Sequence, residues 1–489
     1  MNPHPPSPRP SPGTRTSLRR CPRLALILLA ALASGAVPPA PAQAADGDVR
    51  HRVDMIDPIE KSTPALAPDG RLFVADTEGF VMSYHPTTQQ RVSRYLSGAI
   101  VSAPVLGHDG TVYVGTTATQ QDNFFALDPT TLEVKKRFKA SGAIRGSVTI
   151  GRDWTLYVGT DLGHVYALDP ETLREKWTRS LHVYEDGTGA RLPVEAGCAL
   201  SGDRTLYVPT AAGSRSDLVA LDSRTGQTRW RHTTAAGILR DPALGPDGRV
   251  IFVDRDGFVA AVTPNGARLW LKIPGRSGAT LTSPVVGSQG EVYVGSSDKN
   301  LYCLSPDGAV RWSFSTSGSA IAGAPALGAN GLLYFGAVKK FFCLRASDGG
   351  LVWQRPLDKG TRDVGNVVIT SDNLAWFAGG TYLFGVEVGT SLAGSGFWPT
   401  FRGTCLRQGI APFRQIQPVL GVPYRRANGQ TVVVLWGQPG VTYRLEGSTH
   451  FGEWDSLGSY SSRNGVAAVP LAGPGTHPCQ FYRAVATSP

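Results

Sequence analysis

Eight residues have the best claim to chemistry: Lys61, Arg145, Glu195, Arg240, Asp241, Arg362, Asp363 and Asn366. All lie just ahead of short apolar stretches that recur along the chain. Arg145, Arg240 and Arg362 carry planar guanidiniums suited to two-point contact with a carboxylate or phosphate. Together the eight read as a pocket for an anionic or polar ligand. The competing reading is a solvated channel mouth whose charges pair with one another. Carbohydrate chemistry would need two carboxylates facing each other, and only Glu195, Asp241 and Asp363 are at hand. The matching positions elsewhere, Val101, Leu281 and Ala322, are apolar or small, so charge is confined to some of the repeats. The longest connection, Leu181–Glu195 with Tyr184-Glu185-Asp186-Gly187, should overhang the same place, where long loops on rigid scaffolds often recognise ligands.

Other chemistry is thin. No H-E-x-x-H, G-x-S-x-G, phosphate-binding loop or G-x-G-x-x-G occurs. Asp254-Arg255-Asp256-Gly257 has calcium-loop residue types, but the aligned Asp76-Thr77-Glu78-Gly79 repeats only its turn, so hairpin chemistry accounts for both. No C-x-x-C or adjacent cysteine pair exists. No metal site is expected.

The elements that position these residues come from a repeat. Its opening strand recurs eight times between Ser62 and Val388, as in Pro64-Ala65-Leu66, Pro104-Val105-Leu106 and Cys198-Ala199-Leu200. Successive openings lie 40 to 50 residues apart. Each is followed by a turn, such as Asp69-Gly70, Asp109-Gly110 or Asn330-Gly331, because Gly accepts positive φ without steric cost. A second strand (Leu72-Phe73-Val74), a third (Val165-Tyr166-Ala167-Leu168) and a fourth carrying Trp177, Trp230, Trp270, Trp312 or Trp353 complete the unit. Four short strands per unit of this length predict a β-propeller blade. The fold class is therefore all-β: an eight-bladed propeller of four-stranded blades, followed by a small β-sandwich. Each Trp should seal a seam between blades. Repeats one and two lack it, with Ser93 and Lys136 at the aligned positions, so their seams should be weaker. Cys303 and Cys343 share a column with Ala126, Ala167 and Ala220, which predicts core packing. Repeat eight shows only three strands, and Val49–Ile56 should supply its fourth and close the ring.

Composition sets the outer limits. The 489 residues are 41% hydrophobic and 18% charged, which excludes wholesale disorder. The formal charge of +10 includes five arginines within residues 1–44, a stretch without acids, so the remainder carries only +5. That mild excess gives nucleic-acid binding no support. Residues 1–44 read as a signal peptide: a basic start, the apolar run Leu24–Ala33 and an Ala42-Gln43-Ala44 cleavage site. Export to the periplasm or beyond, with no membrane span after cleavage, is the expectation. Five cysteines survive cleavage, an odd number, so at least one is unpaired within the chain; a Cys405–Cys479 bridge is left open. The expected domains are 45–388 for the propeller, 389–415 for a linker and 416–489 for the sandwich, whose hairpins turn at Asn428-Gly429 and Asn464-Gly465.

The units Val112-Tyr113-Val114-Gly115-Thr116, Leu156-Tyr157-Val158-Gly159-Thr160 and Val292-Tyr293-Val294-Gly295-Ser296, with Asp222-Ser223-Arg224-Thr225-Gly226 and the later Trp398-Pro399-Thr400-Phe401-Arg402-Gly403, resemble the pyrroloquinoline-quinone-type propeller repeat family. Tyr443–Thr449 and Phe481–Ala484 resemble a fibronectin-type-III-like module. The first resemblance implies a propeller, and either a scaffold without cofactor or a dehydrogenase using pyrroloquinoline quinone with calcium. The adjacent cysteine pair common in the dehydrogenase branch is absent. The expectation is a non-catalytic, monomeric, exported binding or assembly scaffold for a protein or cell-envelope component.

Overall fold

A computed structural model describes residues 47–390 except 56–58, 60–61, 68, 108, 183–190, 214–215, 359, 362 and 371; beyond 390 it describes Arg402 and eight short strands. Lys61, Arg362, residues 1–44, the tip of the Leu181–Glu195 connection, Cys405 and Cys479 lie outside the described residues.

The repeat folds as eight antiparallel sheets, each of four sequential strands apart from the last. In blade 1 these are Ala65–Leu66, Leu72–Ala75, Phe80–Tyr84 and Arg91–Tyr95. In blade 8 the inner three are Val368–Ile369, Leu374–Gly379 and Tyr382–Glu387, and Val49–Asp54 adds the outermost, in register Val53↔Leu383. The N-terminal strand thus closes the ring as expected. Inner strands are short and fully buried because both faces meet neighbouring blades. Outer strands such as Val310–Ser315 and Leu351–Pro356 alternate between exposed and half-buried over their last four residues, as a sheet with one solvated face does. Apolar clusters bridge every seam. One joins Phe73 and Val81 of blade 1 to Val112 and Leu132 of blade 2. Another joins Trp376 and Leu383 of blade 8 to Leu72 and Val74 of blade 1, completing the circle. No helix occurs among the described residues.

One column of each blade faces the next. At the turn between third and fourth strands, residues with positive φ recur: Gln89, Leu132, Leu173, Gly226, Gly266, Gly308, Gly349 and Gly47. From blade 4 to blade 8, a Trp of the preceding blade lies on that glycine. A Cβ at Gly226 would stand 2.6 Å from Trp177, one at Gly266 2.7 Å from Trp230, and one at Gly349 2.6 Å from Trp312. The indole Nε1 of Trp177, Trp230 and Trp270 donates to the carbonyls of Ser223, Pro264 and Pro306 at 3.0, 2.7 and 2.8 Å. Glycine is needed twice over: for its left-handed φ and for the ring above it.

The seams after blades 1 and 2, which lack Trp, are filled from the other side. Where the ring is missing, the next turn carries Leu132 or Leu173, fully buried. In blade 1 the position opposite Ser83 is Val92 rather than Ser93, because the bulge found between third and fourth strands in blades 2 to 7 is absent there. Cys303 and Cys343 pair across from Tyr293 and Tyr334 as the alignment predicts, with free, buried thiols.

Past the propeller, Thr431–Trp436 and Val466–Pro470 with two shorter strands form one sheet, and Thr442–Ser448, Asp455–Ser461 and Phe481–Ala486 form another. Leu435, Tyr443, Leu445 and Val469 are their shared core. The segment expected to be only a linker contributes a strand: Gly396–Trp398 adds to the innermost strand of blade 6, in register Val286↔Trp398.

Candidate functional site

In a propeller the segments entering the innermost strands ring one mouth of the central channel. Two residues ahead of each innermost strand stand Thr63, Ala103, Ser147, Gly197, Asp241, Ser283, Ala324 and Asn366. This column stitches blade to blade. The Ala103 amide donates to Ser147 Oγ at 3.0 Å, the Gly197 amide to Asp241 Oδ1 at 2.9 Å, and the Ala324 amide to Asn366 Oδ1 at 2.6 Å. Asn366 then donates through Nδ2 to Thr63 Oγ1 at 2.7 Å, across the seam where the ring closes. Thr149 Oγ1 donates to the Cys198 carbonyl at 2.8 Å, and Arg240 Nε to the Leu281 carbonyl at 3.1 Å. Six of the eight seams are tied this way. Bonds to otherwise stranded buried amides are worth about 1 kcal/mol each, and more when one partner is charged.

Each predicted residue therefore has a definite place. Asp241 and Asn366 belong to the stitching column and Arg240 stands one residue earlier. Burial pushes the Arg240 pKa down, opposed by the neighbouring Asp241 carboxylate. Arg145 and Glu195 lie one residue earlier still. Arg145 faces Asp161 at 3.4 Å on the surface, and Asp161 itself accepts from the Ala143 amide at 2.8 Å. Glu195 is half-buried and Asp363 exposed. The described members thus occupy several levels of the mouth, and three of them are engaged in tying blades.

The deepest polar contact uses a residue that was singled out only as part of a motif. Arg402 is 1% exposed. Its Nη1 pairs with Asp241 Oδ2 at 2.6 Å, while Nη2 donates to the Val148 carbonyl at 2.6 Å and Thr149 Oγ1 at 2.8 Å. A Cβ at Gly197 would overlap the guanidinium, so glycine opens the space. The path that brings Arg402 there can be followed. Thr390 Oγ1 accepts from the Asn330 amide at a hairpin of the opposite mouth. Gly396 pairs with Gly287 and Trp398 with Val286, and Arg402 lies at the stitched mouth. The described points Thr390, Gly396–Trp398 and Arg402 thus lie in turn at one mouth, on an innermost strand and at the other mouth. A signal existed in the sequence: Asp241 is the one carboxylate in an otherwise neutral column, and a buried carboxylate calls for a cation.

Metal and quinone chemistry can be weighed on the donors present. No three His, Cys, Asp or Glu side chains converge among the described residues. Asp254 accepts the Asp256 and Phe258 amides at 3.0 and 2.9 Å, and Asp76 does the same for Glu78 and Phe80, so both loops spend their carboxylates on turns. At the mouth, the carboxylate best placed to meet a cation is already paired with Arg402. The described residues do not fit a calcium-bound quinone.

Comparisons agree with this architecture. A family model described as outer membrane protein assembly factor BamB matches residues 40–182, 78–241 and 255–325, more than half of the chain. No curated protein matches. Among solved structures, the quinohemoprotein alcohol dehydrogenase of Comamonas testosteroni shares 15% identity over 71% of this chain and 77% of its own, with a TM-score of 0.55. The computationally designed Ika8 protein shares 14% over 69% of this chain and 100% of its own, with a TM-score of 0.53. BamB from Moraxella catarrhalis shares 18% over 60% and 96%, with a TM-score of 0.47. With eight sheets in a ring and a family model matching more than half of the chain, the chain belongs to the BamB family of pyrroloquinoline-quinone-type β-propellers.

Proposed function

We propose that the protein is an exported, non-catalytic propeller that serves as a binding or assembly scaffold for a protein or another cell-envelope component. The observation that carries this reading is the stitching of the mouth. Arg240, Asp241 and Asn366, the polar residues best placed to act on a ligand, are spent on joining blades and on holding Arg402. A catalytic propeller would keep such groups aimed at a cavity. The matched family, described as an assembly factor, supports a role in holding other molecules together. Half-buried Glu195 and exposed Asp363 remain at the rim for contact with a partner. The reading includes a monomer, no nucleic acid and a periplasmic or extracellular address, in keeping with the basic, then apolar, N-terminal segment.

The test is reconstitution of the mature protein with pyrroloquinoline quinone and calcium, followed by desalting, absorbance spectroscopy and a dye-linked oxidation assay over primary alcohols and sugars. No stoichiometric quinone and no turnover are expected. Retained quinone with turnover would replace the scaffold reading by a dehydrogenase.

A further inference from the structure

The cradle around Arg402 has features beyond those of a covalent tether. Its acceptors are held by partners other than the arginine. Asp241 is fixed by the Gly197 amide through Oδ1, which leaves Oδ2 facing the channel. Thr149 directs its own hydroxyl proton to the Cys198 carbonyl, so its lone pairs face inward. The Val148 carbonyl is the third acceptor. Three acceptors in a fork, one of them anionic, above a glycine with no side chain, match the donor geometry of a guanidinium and not that of an ammonium. The walls come from blades 3, 4 and 5, and the inner edge of blade 6 beside them takes an extended strand, as Gly396–Trp398 shows. An inner edge that accepts a strand, plus a side-chain pocket, is the arrangement by which sheets recognise extended peptides.

We propose that the Val148–Thr149–Gly197–Asp241 cradle is a recognition site for the arginine side chain of an extended peptide, which Arg402 fills from within the same chain. The inference rests on the scaffold reading and names the class of segment such a scaffold would take: an extended strand with arginine four residues beyond the pairing position. Arg402 then acts as a built-in occupant that an incoming arginine replaces. The cations and anions facing the site are Arg402, Asp241 and the adjacent Arg240, whose Nε is held by the Leu281 carbonyl.

The test uses the full mature chain carrying Arg402→Ala, with N-acetyl-arginine methylamide as probe and N-acetyl-lysine methylamide as control. Thermal unfolding should show R402A restored by the arginine probe, with a rise of about 2 °C or more near saturation. The arginine probe should be preferred about tenfold over the lysine probe, and the wild type should respond only at higher probe concentrations, where the probe competes with Arg402. R402A/D241N should lose the response. A response equal for both probes, a response unchanged by D241N, or none at all in folded R402A would overturn the proposal. Should R402A not fold, Arg402→Lys supplies the second reading: it keeps a cation on Asp241 but cannot reach all three acceptors. R402K should unfold at a lower temperature than wild type, whereas an unchanged midpoint would overturn the fork. These outcomes do not depend on quinone, so failure of this site and failure of the scaffold reading are told apart.

Discussion

Seven of the eight seams of the ring come in two kinds. From blade 3 to blade 7, a Trp of one blade lies on a glycine of the next, as Trp177 does on Gly226. Between blades 1 and 2, and between 2 and 3, the first member is Val92 or Lys136 and the second is Leu132 or Leu173. Leu132 and Leu173 hold φ of 56° and 54°, the same left-handed conformation the glycines adopt without cost. Leucine in that region costs about 1–2 kcal/mol, and the sequence accepts it because the side chain fills the volume an indole fills elsewhere. A donor is kept as well: the Tyr113 hydroxyl reaches the Pro170 carbonyl at 3.3 Å, as the Tyr157 hydroxyl reaches the Ser223 carbonyl at 2.9 Å beside Trp177. Volume is kept across the seam as a pair, not residue by residue. The expectation of weaker seams came from reading one side of the pair.

Breaking a Trp seam should cost most. Gly226→Leu drives a side chain into Trp177 and forces left-handed φ on it, and chemical denaturation should show a loss of roughly 3–4 kcal/mol. Leu173→Gly should cost less, roughly 2 kcal/mol, since the cavity left by leucine is offset by relief of backbone strain. Asn366→Ala should lose about 1–2 kcal/mol, because it strands the Ala324 amide at the seam that closes the ring. The Cys198, Cys303 and Cys343 thiols, pushed up to about 12 by burial, should stay unlabelled by a thiol reagent at pH 8 until the protein unfolds. Labelling of the native protein at any of the three, mapped by mass spectrometry, would contradict the packing.

Acid should act more gently and on the closing blade. His51 takes the outer-strand position held by Trp in other blades and stacks on Trp376 at 5.0 Å. Burial lowers its pKa from the usual value near 6.5. The native state therefore binds fewer protons than the unfolded one. Its contribution is intact above that value and is lost as pH falls through it. The unfolding midpoint should drop between pH 7 and pH 5, and His51→Phe should shrink the drop. An unchanged slope would remove His51 from the account.

Much of the fold was legible because a blade cannot bury both faces alone. The strand period, the Asp-Gly and Asn-Gly turns and the recurring Trp all report the same constraint, down to Val49–Asp54 closing blade 8. The mouth was legible in position only. Spacing places Arg240, Asp241 and Asn366 ahead of innermost strands, but their hydrogen-bond partners lie 41 to 44 residues away or, for Thr63, 303 away, and no local pattern names such partners. Arg402 was less legible still, since its partners Val148 and Asp241 lie 254 and 161 residues distant. The seam compensation was open to view all along: Leu132 and Leu173 stand in the column where other blades have glycine, one repeat after each missing Trp.

The most direct test of the paired seam is to convert one kind into the other with Lys136→Trp, Leu173→Gly and the two together, compared by chemical denaturation. Each single change should destabilise, K136W by overlap with Leu173 and L173G by leaving a void. The double variant should recover to within about 1 kcal/mol of wild type, a coupling well outside additivity. If the double variant loses the sum of the two single losses, the seams are not built as exchangeable pairs.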